Sequence, residues 1–404
     1  MVKPWDTATI GDFLDFKNGL NKGKEFFGYG TPIVNYTDVY RKRGLTKSDV
    51  RGKVNLTRDE IHRFDARKND VFFTRTSETP EEVGMSSVLL DDIDDCVFSG
   101  FVLRGRPKND MFVPEYCKYC FTTEAIRSAI IMGCTYTTRA LTNGTQLSAI
   151  EIVVPPKPEQ EAIAKSLTEI DDLISSLEKL ITKKKAIKQG TMQELLTGKR
   201  RLPGFSEKWE EKPISFFGNF ISGNCFPIEY QGCPRGELPF YKVSDFNNAG
   251  NSRVMGKANN YISHNIASVL SCKIIPKNSV VFAKIGAAIS LERKRITGFD
   301  CCIDNNMMSF LPYQKNIAAY MCYLFQTIRF GEFVEATALP SLSGKTIGEI
   351  QRTFPPTVEE QIAIATVLSD LDSEIEAVEQ KLTKYRQVKQ GMMQQLLTGK
   401  IRLV

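Results

Sequence analysis

One segment of this chain occurs twice. Residues 159–202 and 360–403 align without a gap at an offset of 201, with 23 of 44 positions identical. The strongest block runs Lys188-Gln189-Gly190-Thr191-Met192-Gln193-Glu194-Leu195-Leu196-Thr197-Gly198-Lys199, against Lys389-Gln390-Gly391-Met392-Met393-Gln394-Gln395-Leu396-Leu397-Thr398-Gly399-Lys400. Such a repeat constrains the fold before any local propensity does, because each copy is a structural unit that needs equivalent surroundings. A fainter echo precedes each copy. Trp5, Ile10, Phe13, Phe16 and Gly19 match Trp209, Ile214, Phe217, Phe220 and Gly223 at an offset of 204, and Asp70–Arg75 matches Ser279–Lys284. Both variable stretches end on a proline pair, Pro155-Pro156 and Pro355-Pro356. The order is therefore variable, near-invariant, variable, near-invariant, with boundaries at 1–158, 159–202, 203–359 and 360–404.

The repeated segments read as long helices. Leu167, Ile170, Ile174, Leu177 and Ile181 recur in steps of three and four, as do Leu368, Leu371, Ile375, Val378 and Leu382. That spacing is the apolar stripe of a coiled coil. Thr357-Val358-Glu359-Glu360 is a capping-box pattern, and Pro158 suits a first helical turn. Gly198 and Gly399 supply the stops. Each helix then spans about 38 residues, roughly 57 Å. A rod of that length with one apolar stripe needs a partner, and the partner available within the chain is its own copy. The alternative is that each helix packs only on its own domain. Gly190 and Gly391 lie inside the helical pattern at a cost of roughly 1 kcal/mol each relative to Ala. Their presence in both copies suggests a close helix crossing there, or a partner approaching. Leu195 and Leu396 complete the set expected to make partner-facing contacts, with Leu167, Ile174, Ile181, Gly190, Leu368, Ile375, Leu382 and Gly391.

The variable stretches read as mixed α/β domains. Short β-branched and aromatic runs (Asp70–Thr74, Val97–Leu103, Ser279–Lys284) alternate with turn clusters, and the helical stretches Glu115–Met132 and Ile317–Phe333 follow. No apolar run approaches the roughly 18 residues of a spanning helix. The opening Met1-Val2-Lys3-Pro4-Trp5-Asp6 lacks the apolar run of a secretory signal, so a cytoplasmic location is expected. The ten cysteines are then thiols. Cys117 and Cys120 stand in C-x-x-C spacing, but a zinc site wants a second pair, and the only histidines are His62 and His264. Buried structural thiols are the better reading, and no metal is expected.

Catalytic motifs are missing. Ser343-Gly344-Lys345-Thr346 resembles the end of a phosphate loop, but the glycine needed five residues before Gly344 is Leu339. Neither proline pair is followed by the aromatic residue of an adenine-methyltransferase loop, since Lys157 and Thr357 stand there. No serine elbow or cysteine–histidine pair presents itself. Polar and basic loop clusters remain, and the net charge of +6 permits a nucleic-acid partner. Thr74-Arg75-Thr76 follows one strand, with Lys284 in the matching place of the second domain. Tyr136, Thr137 and Arg139, and the stretch Thr337–Lys345 with Ser341, Ser343 and Lys345, form the loops before each domain's last strand. Lys242 and Ser244 occupy a further loop, and Arg41 and Arg43 belong to a basic run. Such residues grip phosphates and reach base edges, and they are equally common on solvated loops. As a set they are the candidate DNA contacts.

At this point the residues resemble a known family. Alternating variable domains and repeated helices, with Pro-Pro openings before Glu159-Gln160 and Glu360-Gln361 and Leu-Leu-Thr-Gly-Lys endings, look like the specificity subunit of type I restriction–modification systems. The Trp-x-x-x-x-Ile start and the strand ending Thr74-Arg75 are also typical of it. The resemblance implies two α/β target-recognition domains separated by two long helices, which pair as an antiparallel intramolecular coiled coil in a pseudo-twofold repeat. It implies a non-catalytic subunit that reads a bipartite double-stranded DNA target. It further implies two modification subunits bringing S-adenosylmethionine for adenine methylation, and two ATP- and Mg-dependent restriction subunits. A coiled-coil adaptor binding only proteins explains the helices equally well, but gives no reason for two differing loop-rich domains. A methyltransferase acting alone is opposed by the missing loop.

Overall fold

The computed structural model describes residues 4–334 and 340–403. They divide into two compact units: the chain up to Glu178 together with the segment from Gln380 on, and Lys179–Glu379. Each unit combines one variable domain, the first part of the long helix that follows it, and the last part of the other long helix.

The same mixed sheet is built in both units. In the first, the strand order is Leu14–Asn18, Val102–Pro107, Val71–Thr74, Ser86–Leu89, Gly44–Leu45, antiparallel except for the last pair. In the second, Gly218–Ser222, Met307–Pro312, Val280–Ala283, Lys294–Thr297 and Val254–Met255 repeat that order and those senses. The central strand of each sheet is buried on both faces, which is why it is a continuous apolar run rather than an alternating one. Its side chains still alternate between two cores. Val71 and Phe73 join Phe121, Ile163, Leu167 and Leu396, whereas Phe72 joins Val34, Leu89 and Phe98. Likewise Val280 and Phe282 join Leu195, Phe325 and Leu368, whereas Val281 joins Tyr241 and Met255.

The long helices run Lys157–Leu195 and Val358–Leu396, 39 residues each. Thr357 Oγ1 accepts from the Glu360 amide at 3.4 Å, so the capping reading of that start holds. Gly198 and Gly399 end the helices in the left-handed region, at φ of 71° and 70°. In each case the Arg200 or Ile401 amide reaches back to the carbonyl six residues earlier, Glu194 or Gln395. A side chain at either glycine would meet an indole, Trp209 at 3.1 Å for Gly198 and Trp5 at 3.2 Å for Gly399. The two tryptophans are thus lids on the helix ends. Each also donates to a buried glutamate at the start of a helix, Trp5 Nε1 to Glu159 at 3.1 Å and Trp209 Nε1 to Glu360 at 3.3 Å. An arginine just past the glycine completes each clamp. Arg201 grips Glu360 through Nε at 2.7 Å and Nη2 at 2.8 Å, and Arg402 grips Glu159 the same way, with Nε at 2.6 Å.

Further ion pairs fix the helix direction. In the first unit Asp171 pairs with Lys389 and Glu178 with Arg386. In the second, Asp372 pairs with Lys188 and Glu374 with Lys184. Each advance along one helix is matched by a retreat along the other, so the helix segments in each unit are antiparallel. Each helix packs on the domain it follows through its start, Leu167 or Leu368, and on the other domain through its end, Leu195 or Leu396, so the alternative of packing only on its own domain does not hold. Ile181, Ile375 and Leu382 are buried, and Ile174 is half-buried. The expectation of a close crossing at the helix glycines is corrected: nothing lies within 4 Å of a Cβ built at Gly190 or Gly391.

Other differences concern continuity. Val97–Leu103 is two strands, Val97–Phe98 pairing with Ile33–Val34 and Val102–Pro107 entering the main sheet. The chain turns at Gly100, where a side chain would collide with Asn21 Oδ1. Glu115–Met132 is also broken, into Pro114–Cys117, a turn at Cys120–Thr122, and Glu124–Gly133. Thr123 restarts the helix by capping the Ile126 amide. In the second domain Ala318–Gln326 is helical and Phe330–Phe333 is a separate turn. Cys117 and Cys120 are buried free thiols, and the described residues hold no cluster of metal-ligand type.

Candidate nucleic-acid interface

Sheet pairing gathers most of the first domain's loop candidates. Thr76–Ser77 pairs antiparallel with Ala140–Leu141, which in turn pairs with Thr135–Tyr136. The Thr137–Arg139 tip therefore sits beside the strand exit at Thr76. The Arg75 amide is held by the Phe101 carbonyl at 2.9 Å, and the Arg75 carbonyl accepts from the Thr142 amide at 3.0 Å. A cleft of about 340 Å³ opens there, walled by Tyr36, Thr76, Glu78, Phe101 and Arg139. Tyr136 and Phe101 are 57% and 56% exposed there.

The second domain repeats the scaffold. The Leu342 amide donates to the Lys284 carbonyl at 2.8 Å, the Lys284 amide to the Asn306 carbonyl at 2.9 Å, and Ile285 bridges Ser341. Lys284 and Ser341 thus stand together, with Ser343 and Lys345 opening the short helix Gly344–Gly348 next to them. Lys345 is exposed, with Glu349 at 4.0 Å. Lys242 is half-buried, donating to Gln231 Oε1 at 2.9 Å, and Ser244 is exposed on the turn Val243–Asn247. Of the stretch Thr337–Lys345, residues 337–339 lie outside the described residues.

Two candidates are placed elsewhere. Thr74 is fully buried, its hydroxyl donating to the Glu82 carbonyl at 3.1 Å and accepting from the Met85 amide at 2.9 Å. It anchors the Pro80–Glu82 turn and has nothing left to offer DNA. Arg43 lies in a groove against the second long helix, with Nη1 3.3 Å from Met393 Sδ, and burial holds its guanidinium below the usual value. Its counterpart Arg253 lies 3.7 Å from Asp372. Both arginines belong to a repeated lock. Tyr119 donates to Asp171 at 2.9 Å, and Tyr323 to Asp372 at 2.7 Å, while Lys389 and Lys188 hold the same aspartates. Burial pushes both phenols up, so they stay donors. Arg41, in contrast, is exposed at the end of the helix Tyr36–Arg41.

Comparison with known proteins agrees with this repeated architecture. Residues 2–189 and 206–384 match the family described as type I restriction modification DNA specificity domain. The chain belongs to that family. Two relatives from Methanocaldococcus jannaschii are each 24% identical over 99% of this chain. One is named a putative type I restriction enzyme MjaX specificity subunit and is covered over 94% of its length; the other is the MjaVIII specificity subunit, covered over 93%. Among solved structures, the S subunit from M. genitalium superposes with a TM-score of 0.58 at 15% identity, covering 97% of this chain and 96% of that one. A chain from a study of type I system assembly and conformational transition gives 0.57 at 15%, covering 98% of each. These structures share the fold.

As a type I specificity subunit, the chain is the non-catalytic DNA-recognition component of its system and works with the system's other subunits and DNA. No helix among its described residues is long and apolar enough to cross a membrane. The sequence reading missed Glu78, Phe101 and Tyr36. Nothing in their local sequence marks them: Glu78 reaches Arg139 through strand pairing across some sixty residues, and Phe101 is placed by the bond of its carbonyl to the Arg75 amide. Once the scaffold is overlaid through its backbone bonds, the contrast between domains is plain: Arg75, Glu78 and Phe101 are replaced by Lys284, Ala287 and Asn306.

Proposed function

We propose that each target-recognition domain reads one half of a bipartite double-stranded DNA target. Two modification subunits, carrying S-adenosylmethionine, then methylate adenine, and two restriction subunits, using ATP and Mg, cut unmodified DNA. The observation carrying this reading is the loop scaffold built twice with different side chains on it. A shared frame with differing polar tips is what two readers of different sequences require. The duplicated helix surface supports two copies of one partner. In the first unit a groove of about 750 Å³ is lined by Arg386, Lys389, Gln390 and Met393. In the second, one of about 510 Å³ is lined by Lys185, Lys188, Gln189 and Met192, the same helix positions. Gly391 and Gly190 adjoin these grooves with open space above them, where a partner's backbone could approach.

Mobility shift against mixed DNA, with and without a modification subunit, tests the reading. DNA binding should weaken steeply between about 50 and 200 mM salt as released counterions return. Exchanging residues 1–158 for the matching domain of a relative should change one half of the methylated sequence and leave the other. If both halves change together, the two-reader scheme is wrong.

A further inference from the structure

Among the described residues the Glu78 carboxylate makes no hydrogen bond or ion pair, and neither does the Arg139 guanidinium in the cleft whose rim they share. Its neighbour Glu82 shows the contrast. There both oxygens are occupied, one by the Tyr40 hydroxyl at 2.7 Å and the other by Ser77 Oγ at 3.1 Å, so that carboxylate braces the cleft wall. Tyr40 stacks on Tyr36 with ring centroids 5.8 Å apart, which stiffens the same wall. Glu78 and Arg139 are exposed, opposite in charge and not paired with each other. A carboxylate facing a phosphate backbone is repelled, so its presence on a DNA-facing rim calls for a donor on the ligand. Base edges in the major groove supply one: cytosine presents its N4 amine, for which Glu and Asp are acceptors, and guanine presents O6 and N7 to an arginine fork.

We infer that Glu78 and Arg139 together read a single C·G base pair in the half-site of the first domain, Glu78 taking the cytosine amine and Arg139 the guanine edge. This rests on the reading above that the first domain's loops face DNA. The second domain carries Ala287 where the first has Glu78, so it makes no such reading with that position. The rigid backing (Glu82 bonded to Tyr40 and Ser77) holds the loop so that the two charges meet the base pair without first meeting each other.

The test is the methylated sequence made in cells by the full chain with its modification subunit, read by single-molecule sequencing, for wild type, Glu78→Gln and Arg139→Gln. Each variant should lose about 10- to 100-fold of its discrimination at one and the same C·G position of one half-site, with the other half-site unchanged. Both residues are exposed and unpaired, so melting temperatures should match wild type, which separates a reading defect from misfolding. The inference is overturned if both variants keep the wild-type motif at every position, if they relax different positions, or if the shared position is an A·T pair. Should the wild-type complex methylate no two-part motif, the proposed function fails instead, and that outcome is visible before any variant is made.

Discussion

Replacing Glu360 by alanine removes the centre of the clamp that closes the second unit. Its carboxylate is 1% exposed and takes two short bonds from Arg201 at 2.7 and 2.8 Å, plus the Trp209 indole at 3.3 Å. Alanine leaves the Arg201 guanidinium, itself only 24% exposed, without its carboxylate partner and holding only the Glu207 carbonyl at 2.8 Å. Breaking one side of a buried pair costs about 3–5 kcal/mol, and the partial exposure of Arg201 places this case near the lower end, about 3 kcal/mol. For a unit of this size each kcal/mol moves the melting temperature by about 2–4 °C, so a fall of roughly 6–12 °C is expected. Scanning calorimetry is the suitable assay, because it registers whether one transition moves or a single peak splits. Arg58→Ala is the matched control: its pair with Asp95 is 79% and 51% exposed and should be worth less than about 1 kcal/mol. A Glu360→Ala shift no larger than that of Arg58→Ala would refute the clamp.

Three further outcomes are expected. Gly190→Ala and Gly391→Ala should each raise stability by about 0.5–1 kcal/mol, because a helix-interior glycine is replaced where nothing obstructs a methyl. The same changes should weaken capture of the modification subunit in co-purification if a partner backbone approaches there, and unchanged capture would count against that docking site. Acid should loosen the first unit: the Arg402 guanidinium beside Glu159 holds its carboxyl below the ordinary glutamate value of 4.5. The stability this confers is complete above the unfolded value and lost as pH falls through the folded one, so Glu159→Gln should flatten the melting profile below about pH 5. Finally, Asp70→Ala should destabilise the first domain by about 3 kcal/mol. Its 1%-exposed carboxylate takes Arg106 at 2.7 and 2.9 Å; urea denaturation of the full chain measures the change.

The repeat made the long helices and their glycine stops legible, and Thr357 marked the capped start of the second, because those features depend on neighbours within a few residues. It also marked Trp5 and Trp209 as equivalent, though not as lids over Gly399 and Gly198. Expected elements failed where a short-range signal met a long-range demand. Val97–Leu103 reads as one strand, yet its two ends belong to different sheets and must turn at Gly100. Thr74 and Arg43 carry the chemistry of DNA contacts, but tertiary packing spends both internally. Arg104 and Arg106, two further cations on one strand, are likewise consumed by Asp65 and Asp70. The second domain has Ser309 and Leu311 at those positions and fills the space without charge.

By itself the sequence determined that two units of one design exist, where the helices begin and end, and that their stripes must be buried. Those properties follow from periodicity and capping, which act over one or two turns of helix. Only the tertiary structure decided which side chains remain free to meet DNA. A polar residue's availability depends on whether some distant segment satisfies it first, and the strand pairing that carries Arg139 to Glu78 closes a loop of some sixty residues. Glu82, whose carboxylate is bonded twice, and Glu78, whose carboxylate is bonded to none of the described residues, are four residues apart and alike in sequence, and their difference is made by what packs against them.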